Sequence, residues 1–164
     1  MEQLDMVSRQ ISFATDGSQY LTFRLGQEEY GVEILKVQEI KGYSAVTPVP
    51  SMPAYFKGVM NLRGTIVPVV DLRAKFQMAA AEYNQFTVII VLTVGAKVMG
   101  LIVDAVSDVL NIPRTDIQAT PEFGAEVDAR FISGMAKAGE KLVVLLDIDR
   151  VLGGEELANL GSAA

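Results

Sequence analysis

Two short stretches carry carboxylates at spacings that could do chemistry. In VDAVSDV, Asp104 and Asp108 stand four apart, the spacing that shares one face of a helix, where two carboxylates could hold a cation or divide acid and base roles. In LLDIDR, Asp147 and Asp149 alternate, and on a strand both would project to one side, as two oxygen ligands for Mg²⁺ would. Asp71 closes the apolar run VVD, the pattern of a phosphoacceptor aspartate at a strand end. The paired acidic residues, lysine-bearing strand and alternating helices of such a receiver are missing. The plainer reading is preferred for each: a solvated face for Asp104 and Asp108, mirrored in part by Glu39, and a structural strand end for Asp71 and Asp147.

The rest of the composition narrows the chemistry further. The chain has no histidine and no cysteine, which removes the usual general base, the commonest transition-metal ligand, the thiol nucleophile and any disulfide. No GxxxxGK[ST] or GxGxxG loop occurs, so nucleotide binding has no motif behind it. Fourteen basic against twenty acidic residues give a net charge of -6, without a Lys/Arg cluster to offset it, and this argues against nucleic acid as a partner. The N-terminus MEQLDMVSRQ lacks the pattern of a secretory signal, and the longest apolar stretch, Phe86 to Val94, is about half a membrane span. A soluble cytoplasmic protein without cofactor or metal is expected, in which any catalysis would have to rest on carboxylates, Ser, Lys or Tyr.

The elements that position these residues come from a repeat. At an offset of 69, LGQEEYGVEI (Leu25 to Ile34) falls on VGAKVMGLIV (Val94 to Val103), with both glycines coincident and Val37, Glu39 and Ile40 falling on Val106, Asp108 and Val109. Each copy reads as a β-hairpin, and the apolar period shifts from two toward three between Val32 and Ile40, as when a strand runs into a short helical turn. At an offset of 76, Gly58, Ile66, Val67, Val69, Val70 and Asp71 meet Gly134, Leu142, Val143, Leu145, Leu146 and Asp147. The chain thus reads as a duplicated all-β unit of about 70 residues, with about seven extra residues between Ala105 and Phe131. A unit that small is expected to close into a barrel, which removes exposed strand edges, and two barrels side by side would leave a cleft for binding.

The duplication supplies an internal control for one residue. Asn61-Leu62-Arg63-Gly64 has the Asn and Gly of a type I turn leading into the strand Thr65 to Val70, and the sister position of Arg63 is Gly139. The fold does not demand a guanidinium there. Two readings stand: a solvated turn arginine, or a five-donor group presented to carboxylates and carbonyls on a rigid tip. Pro68 cannot donate to a ladder, so it belongs at an edge or bulge. The proline-rich Thr47 to Pro53 reads as a stiff loop, while Phe76, Tyr83, Phe86, Val37, Val88 and Val106 read by default as core.

Three segments, LGQEEYGVEILKVQEI, PAYFKGVMNLRGTIVPVVDLR and GLIVDAVSDVL, together closely resemble the CheW family, the coupling proteins of bacterial chemotaxis, from about Tyr20 to about Leu160. The resemblance implies an all-β fold of two five-stranded SH3-like barrels packed side by side, with short helical turns and a short C-terminal helix. It implies tails at 1–17 and 159–164 around one domain at 18–158. It also implies a non-catalytic adaptor, monomeric when free, that joins methyl-accepting chemoreceptor tips to the histidine kinase CheA in arrays at the inner membrane. Carried over by position, the receptor-binding surface is Val37, Glu39, Gly58 and Arg63, facing the groove between the barrels. Gly58 keeps that groove clear for a helix, so its replacement by Asp is expected to weaken binding and leave the melting temperature nearly unchanged. The kinase-facing contacts are Val88 and Val106, with Phe123 closing mixed rings. Some relatives carry a basic residue near that last position, where this chain has Gln118. A CheW-like regulatory module of another two-component system, or a barrel holding a small ligand, remains as an alternative.

Overall fold

The computed structural model describes residues 19–118 and 129–153. The 1–17 and 159–164 tails, and Phe123, lie outside the described residues. Among the described residues, ten strands form two five-stranded sheets. In chain order they are β1 (Gln19–Leu25), β2 (Glu28–Glu33), β3 (Val37–Gly42), β4 (Phe56–Leu62), β5 (Thr65–Asp71), β6 (Val88–Val94), β7 (Lys97–Val103), β8 (Ala105–Asn111), β9 (Ile132–Ala138) and β10 (Lys141–Leu146). Two short helices, α1 (Leu72–Lys75) and α2 (Ile148–Leu152), follow β5 and β10. Both start at the repeated aspartates: Asp71 accepts the N–H groups of Arg73 and Ala74, and Asp147 accepts that of Arg150. The aspartates that close the apolar runs are therefore helix caps.

The repeat is present, but neither copy closes on itself. The first sheet runs β8-β1-β2-β10-β9 and the second β3-β6-β7-β5-β4, so each takes a hairpin from one half of the sequence and three strands from the other. The exchange happens where the chain crosses between sheets, at the 3-10 turn Ile34–Lys36 after β2 and at Asp104 after β7. The 3-10 turn is the short helical turn that the changing apolar period foretold. The parallel pairs respect the duplication: Gly31 lies opposite Leu145, and Gly100 opposite Val69. The connection between β8 and β9 has twenty residues against thirteen between β3 and β4, which accounts for the extra seven.

Each sheet curls until its edges approach. Past β3, Thr47 exchanges two backbone hydrogen bonds of 2.9 Å with Val59 of β4, at the opposite edge of the same sheet. Past β8, Gln118 does the same with Met135 of β9, at 2.8 and 2.9 Å. Pairing of this kind satisfies edge groups that would otherwise template aggregation. The β5–β7 pairing begins at Val69, one residue after Pro68, so the proline sits where no partner on that side needs its missing N–H.

The alternation of side chains divides the interior into three. Met60, Val67, Val69, Ile89, Val91 and Ile102 fill the second sheet, and Tyr20, Ile112, Ala136, Val143 and Leu145 fill the first. The largest cluster draws on both sheets, with Leu21, Phe23, Leu25, Ile90, Leu92 and Leu101 among its fully buried members. Each such side chain contributes about 1.5–3 kcal/mol of transfer free energy. The space between the sheets, expected to be a cleft, is at this level packed core.

Candidate docking surface

The hairpin of β4 and β5 turns through only two residues, Arg63 and Gly64, between the paired Leu62 and Thr65. Both have positive φ, 49° and 88°, which is the condition of a type I′ turn and not the type I expected from Asn61. Type I′ prevails because its twist matches that of the strands it joins. Asn61 still serves the turn, since its side-chain oxygen accepts the Gly64 N–H at 2.8 Å. The sister hairpin puts Gly139 at the place of Arg63, with φ of 65°. One copy therefore uses glycine in a left-handed conformation and the other strains an arginine into it.

What the arginine touches is the second residue singled out for the receptor surface. Arg63 Nη2 donates to Glu39 Oε1 at 2.8 Å and Nη1 to Oε2 at 3.2 Å, with the arginine side chain 72% exposed. The carboxylate holds the guanidinium proton more tightly than usual, through the hydrogen bond first and charge second. Glu39 points outward because β3 bulges: Val37 pairs with Leu92 and Glu39 with the next residue, Val91, leaving Gln38 unmatched. Gln38 donates its amide to Thr93 Oγ1 at 2.7 Å, which fixes the bulge. Val37 turns the other way. It is 8% exposed and belongs to the main core, so it supports the strand under Glu39 and is not an open contact.

Gly58 is buried and has φ of 149°, and a Cβ there would lie 2.1 Å from the Thr47 carbonyl oxygen. Its emptiness serves the backbone bridge that draws the sheet edges together. Gly134, its sister, likewise leaves no room between Ile117 and the Gln118 carbonyl. The expectation that Gly58 could be replaced at no cost to stability is therefore corrected: the side chain would strike backbone of the same chain.

The carboxylates of the chemical readings do not converge. Asp104 is bound by Arg73, Nε to Oδ1 at 2.8 Å and Nη2 to Oδ2 at 2.6 Å, and by the Gly26 N–H at 2.8 Å. Burial pushes its pKa up, but Arg73 and Gly26 outweigh that and hold it below the usual carboxylate range. Asp108 lies in strand β8, not on a helix shared with Asp104, because the chain crosses between sheets at Asp104. Asp149 pairs with Lys36 at 2.9 Å. Asp71 also accepts the Tyr83 hydroxyl at 2.5 Å. Among the described residues no group of three or more acidic side chains is placed to hold a metal ion.

A model of the CheW-like domain matches residues 19–156. The chain belongs to the CheW-like family. It is 45% identical over 150 residues to the chemotaxis protein CheW of Klebsiella aerogenes, covering 92% of this chain and 90% of that one. It is 41% identical to the chemotaxis protein CheW of Rhizobium meliloti, covering 85% and 90%. The crystal structure of the scaffolding protein TtCheW from Thermoanaerobacter tengcongensis superposes with a TM-score of 0.79 at 28% identity, over 88% of this chain and 93% of that one. The CheW-like fold and a chemotaxis scaffold family are thereby shown, and no helix among the described residues is long and apolar enough to cross a membrane.

On this CheW-like fold the residues expected to face a kinase are split between the sheets. Val88 opens β6 in the second sheet and Val106 lies in β8 of the first, and both are half-buried against the margin of the main core. Gln118 has an exposed side chain and a bridged backbone. Phe86, read as core, is instead 62% exposed. Its loop is tied by Asn84, whose side chain accepts the Phe86 N–H at 2.8 Å, and by Thr87, whose hydroxyl accepts the Asn84 N–H at 2.9 Å. Phe86 lies two residues before β6, outside the strand whose inward series is Val88, Ile90 and Leu92.

Proposed function

We propose that this chain is a non-catalytic cytoplasmic adaptor that couples methyl-accepting chemoreceptors to the histidine kinase CheA and so controls kinase activity within receptor arrays. The observation that carries the reading is the Arg63–Glu39 pair on a turn whose sister uses glycine. A strained arginine held on a rigid tip supports a recognition role, because the backbone conformation alone would favour glycine. Glu39 engages two of the five guanidinium donors and orients the rest toward solvent, where carboxylates and amide carbonyls of a receptor helical hairpin could be gripped. Val88, with Phe86 two residues before it, and Val106 on the other sheet offer apolar contacts suited to the kinase regulatory domain. Phe123, on the expectation from resemblance, adds a ring contact.

The deciding experiment is kinase autophosphorylation with receptor vesicles, with and without this protein. Strong dependence of the rate on the protein is expected. A rate indifferent to it sinks the reading.

A further inference from the structure

Helix α1 has four residues and yet grips both sheets. It follows β5 directly, so its backbone belongs to the second sheet, and its Asp71 cap is itself held by the Tyr83 hydroxyl. One arm is Arg73, which binds Asp104 at the crossover and, through the same carboxylate, the Gly26 N–H in the β1–β2 turn of the first sheet. The other arm is Lys75. Its ammonium lies 4.3 Å from the centre of the Tyr55 ring and 5.3 Å from that of Phe131.

Those two rings are equivalent positions of the duplication. Tyr55 leads into β4 of the second sheet and Phe131 into β9 of the first. Their carbonyls do the same work, accepting the N–H of Asp71 at 2.8 Å and of Asp147 at 2.9 Å. Lys75 therefore joins corresponding points of the two halves. Phe76, just beyond the helix, adds ring contacts to Phe131 at 6.0 Å and to Tyr30 of β2 at 5.9 Å. The sister helix α2 is capped in the same way, but has Asp149 and Val151 at the places of Arg73 and Lys75. A helix at this point of the fold thus forms without a basic arm, although Asp149 makes its own ion pair, of opposite polarity, with Lys36 at the other crossover.

We propose that α1 is a two-armed clamp that fixes the orientation of one sheet relative to the other, and that signal passing between the two docking surfaces depends on it. The second half rests on the adaptor reading, in which the receptor residues and Val88 belong to the second sheet and Val106 to the first, so that the kinase contacts span both. Lys75→Met keeps the methylene stem and removes the cation, and Arg73→Lys keeps the charge and removes the two-pronged fit. The full-length variants would be measured by residual dipolar couplings, by binding to a receptor-tip hairpin and to the kinase regulatory domain separately, and by kinase stimulation with receptor vesicles. The couplings are expected to fit each sheet as before, but no longer with one wild-type orientation between them. Receptor-tip affinity should stay within about twofold, because Glu39, Gly58 and Arg63 all belong to the second sheet, while kinase-domain affinity and stimulation fall about three- to tenfold, since Val88 and Val106 lie on different sheets. Couplings that still fit the wild-type orientation in both variants would overturn the clamp, and so would stimulation at the wild-type level. If the wild-type protein binds neither partner, the adaptor reading fails while the couplings still decide the clamp.

Discussion

Arg63 and Glu39 come from opposite edges of one sheet and meet in a two-pronged ion pair of 2.8 and 3.2 Å. Glu39 lies in the edge strand β3, and Arg63 follows the other edge strand, β4. Curling of the sheet brings them together, and the backbone bridge between Thr47 and Val59 holds the same edges closed nearby. Arg63→Gly is expected to leave the melting temperature equal or raised, because glycine relaxes the left-handed turn. Binding to a receptor-tip hairpin should fall sharply. Calorimetric melting and titration on the same sample check both halves, and intact binding would remove Arg63 from the interface.

Gly58 separates a structural from a recognition role. Gly58→Ala should destabilise by about 3 kcal/mol or more, since the methyl group would lie against a carbonyl oxygen at a φ that L-residues rarely adopt. For a chain of this size that is a fall of about 6–12 °C in Tm. Gly134→Ala should cost less, because its φ is not in the left-handed region and the nearest atom it meets is a side-chain methyl, Ile117 Cγ2, with the Gln118 carbonyl oxygen farther off at 3.1 Å. Chemical denaturation of the two variants orders them, and a Tm unchanged in Gly58→Ala would contradict the close approach.

The Arg73–Asp104 pair sets part of the acid limit of stability. Asp104 has a pKa below that of the unfolded chain, near about 3.9, so the unfolded state takes up the proton first as pH falls. The stabilisation is present above that value and is lost as pH drops through the lower folded value. Arg73→Gln leaves burial opposed only by the Gly26 N–H and the more distant Arg24 charge, so loss should begin at higher pH. At pH 7 the substitution is expected to cost about 2 kcal/mol. Melting curves between pH 3 and 7 test this, with parallel profiles for the two proteins as the contrary result.

The kinase-facing surface is tested by charge and by truncation. Val88→Lys places an ammonium in an apolar contact and should weaken binding to the kinase regulatory domain at least about tenfold. Phe86→Ser removes an exposed ring, so Tm should stay within about 1 °C. The affinity should still drop, by about threefold or more, if the ring is buried by the partner. Equal affinity in the serine variant would return Phe86 to plain surface.

Legibility followed the range of the interactions involved. The coincident glycines, the strand-ending aspartates and the seven-residue insertion were readable because a duplicated unit repeats its local requirements. The type I′ turn was missed because Asn61 mimics a type I signal, whereas the paired Leu62 and Thr65 impose the tighter geometry. The outward turn of Glu39 was hidden because a bulge at Gln38 resets the alternation, and a bulge leaves no residue signature of its own. Phe86 was assigned to the core on its residue type alone, within one apolar stretch to Val94, and only the folded chain starts β6 two residues later at Val88.

By itself the sequence determined that this is a duplicated all-β chain of the CheW-like kind, with Arg63 on a tip and without histidine or cysteine chemistry. Periodicity and turn residues are local, and they survive in the order of the letters. Only the tertiary structure decided that the halves exchange strands, that Val37 and Gly58 serve the interior, and that Arg63 finds Glu39. Those facts depend on which strand edges meet once the sheets curl, and contacts between residues so far apart in the chain exist only after both sheets have closed on a shared core.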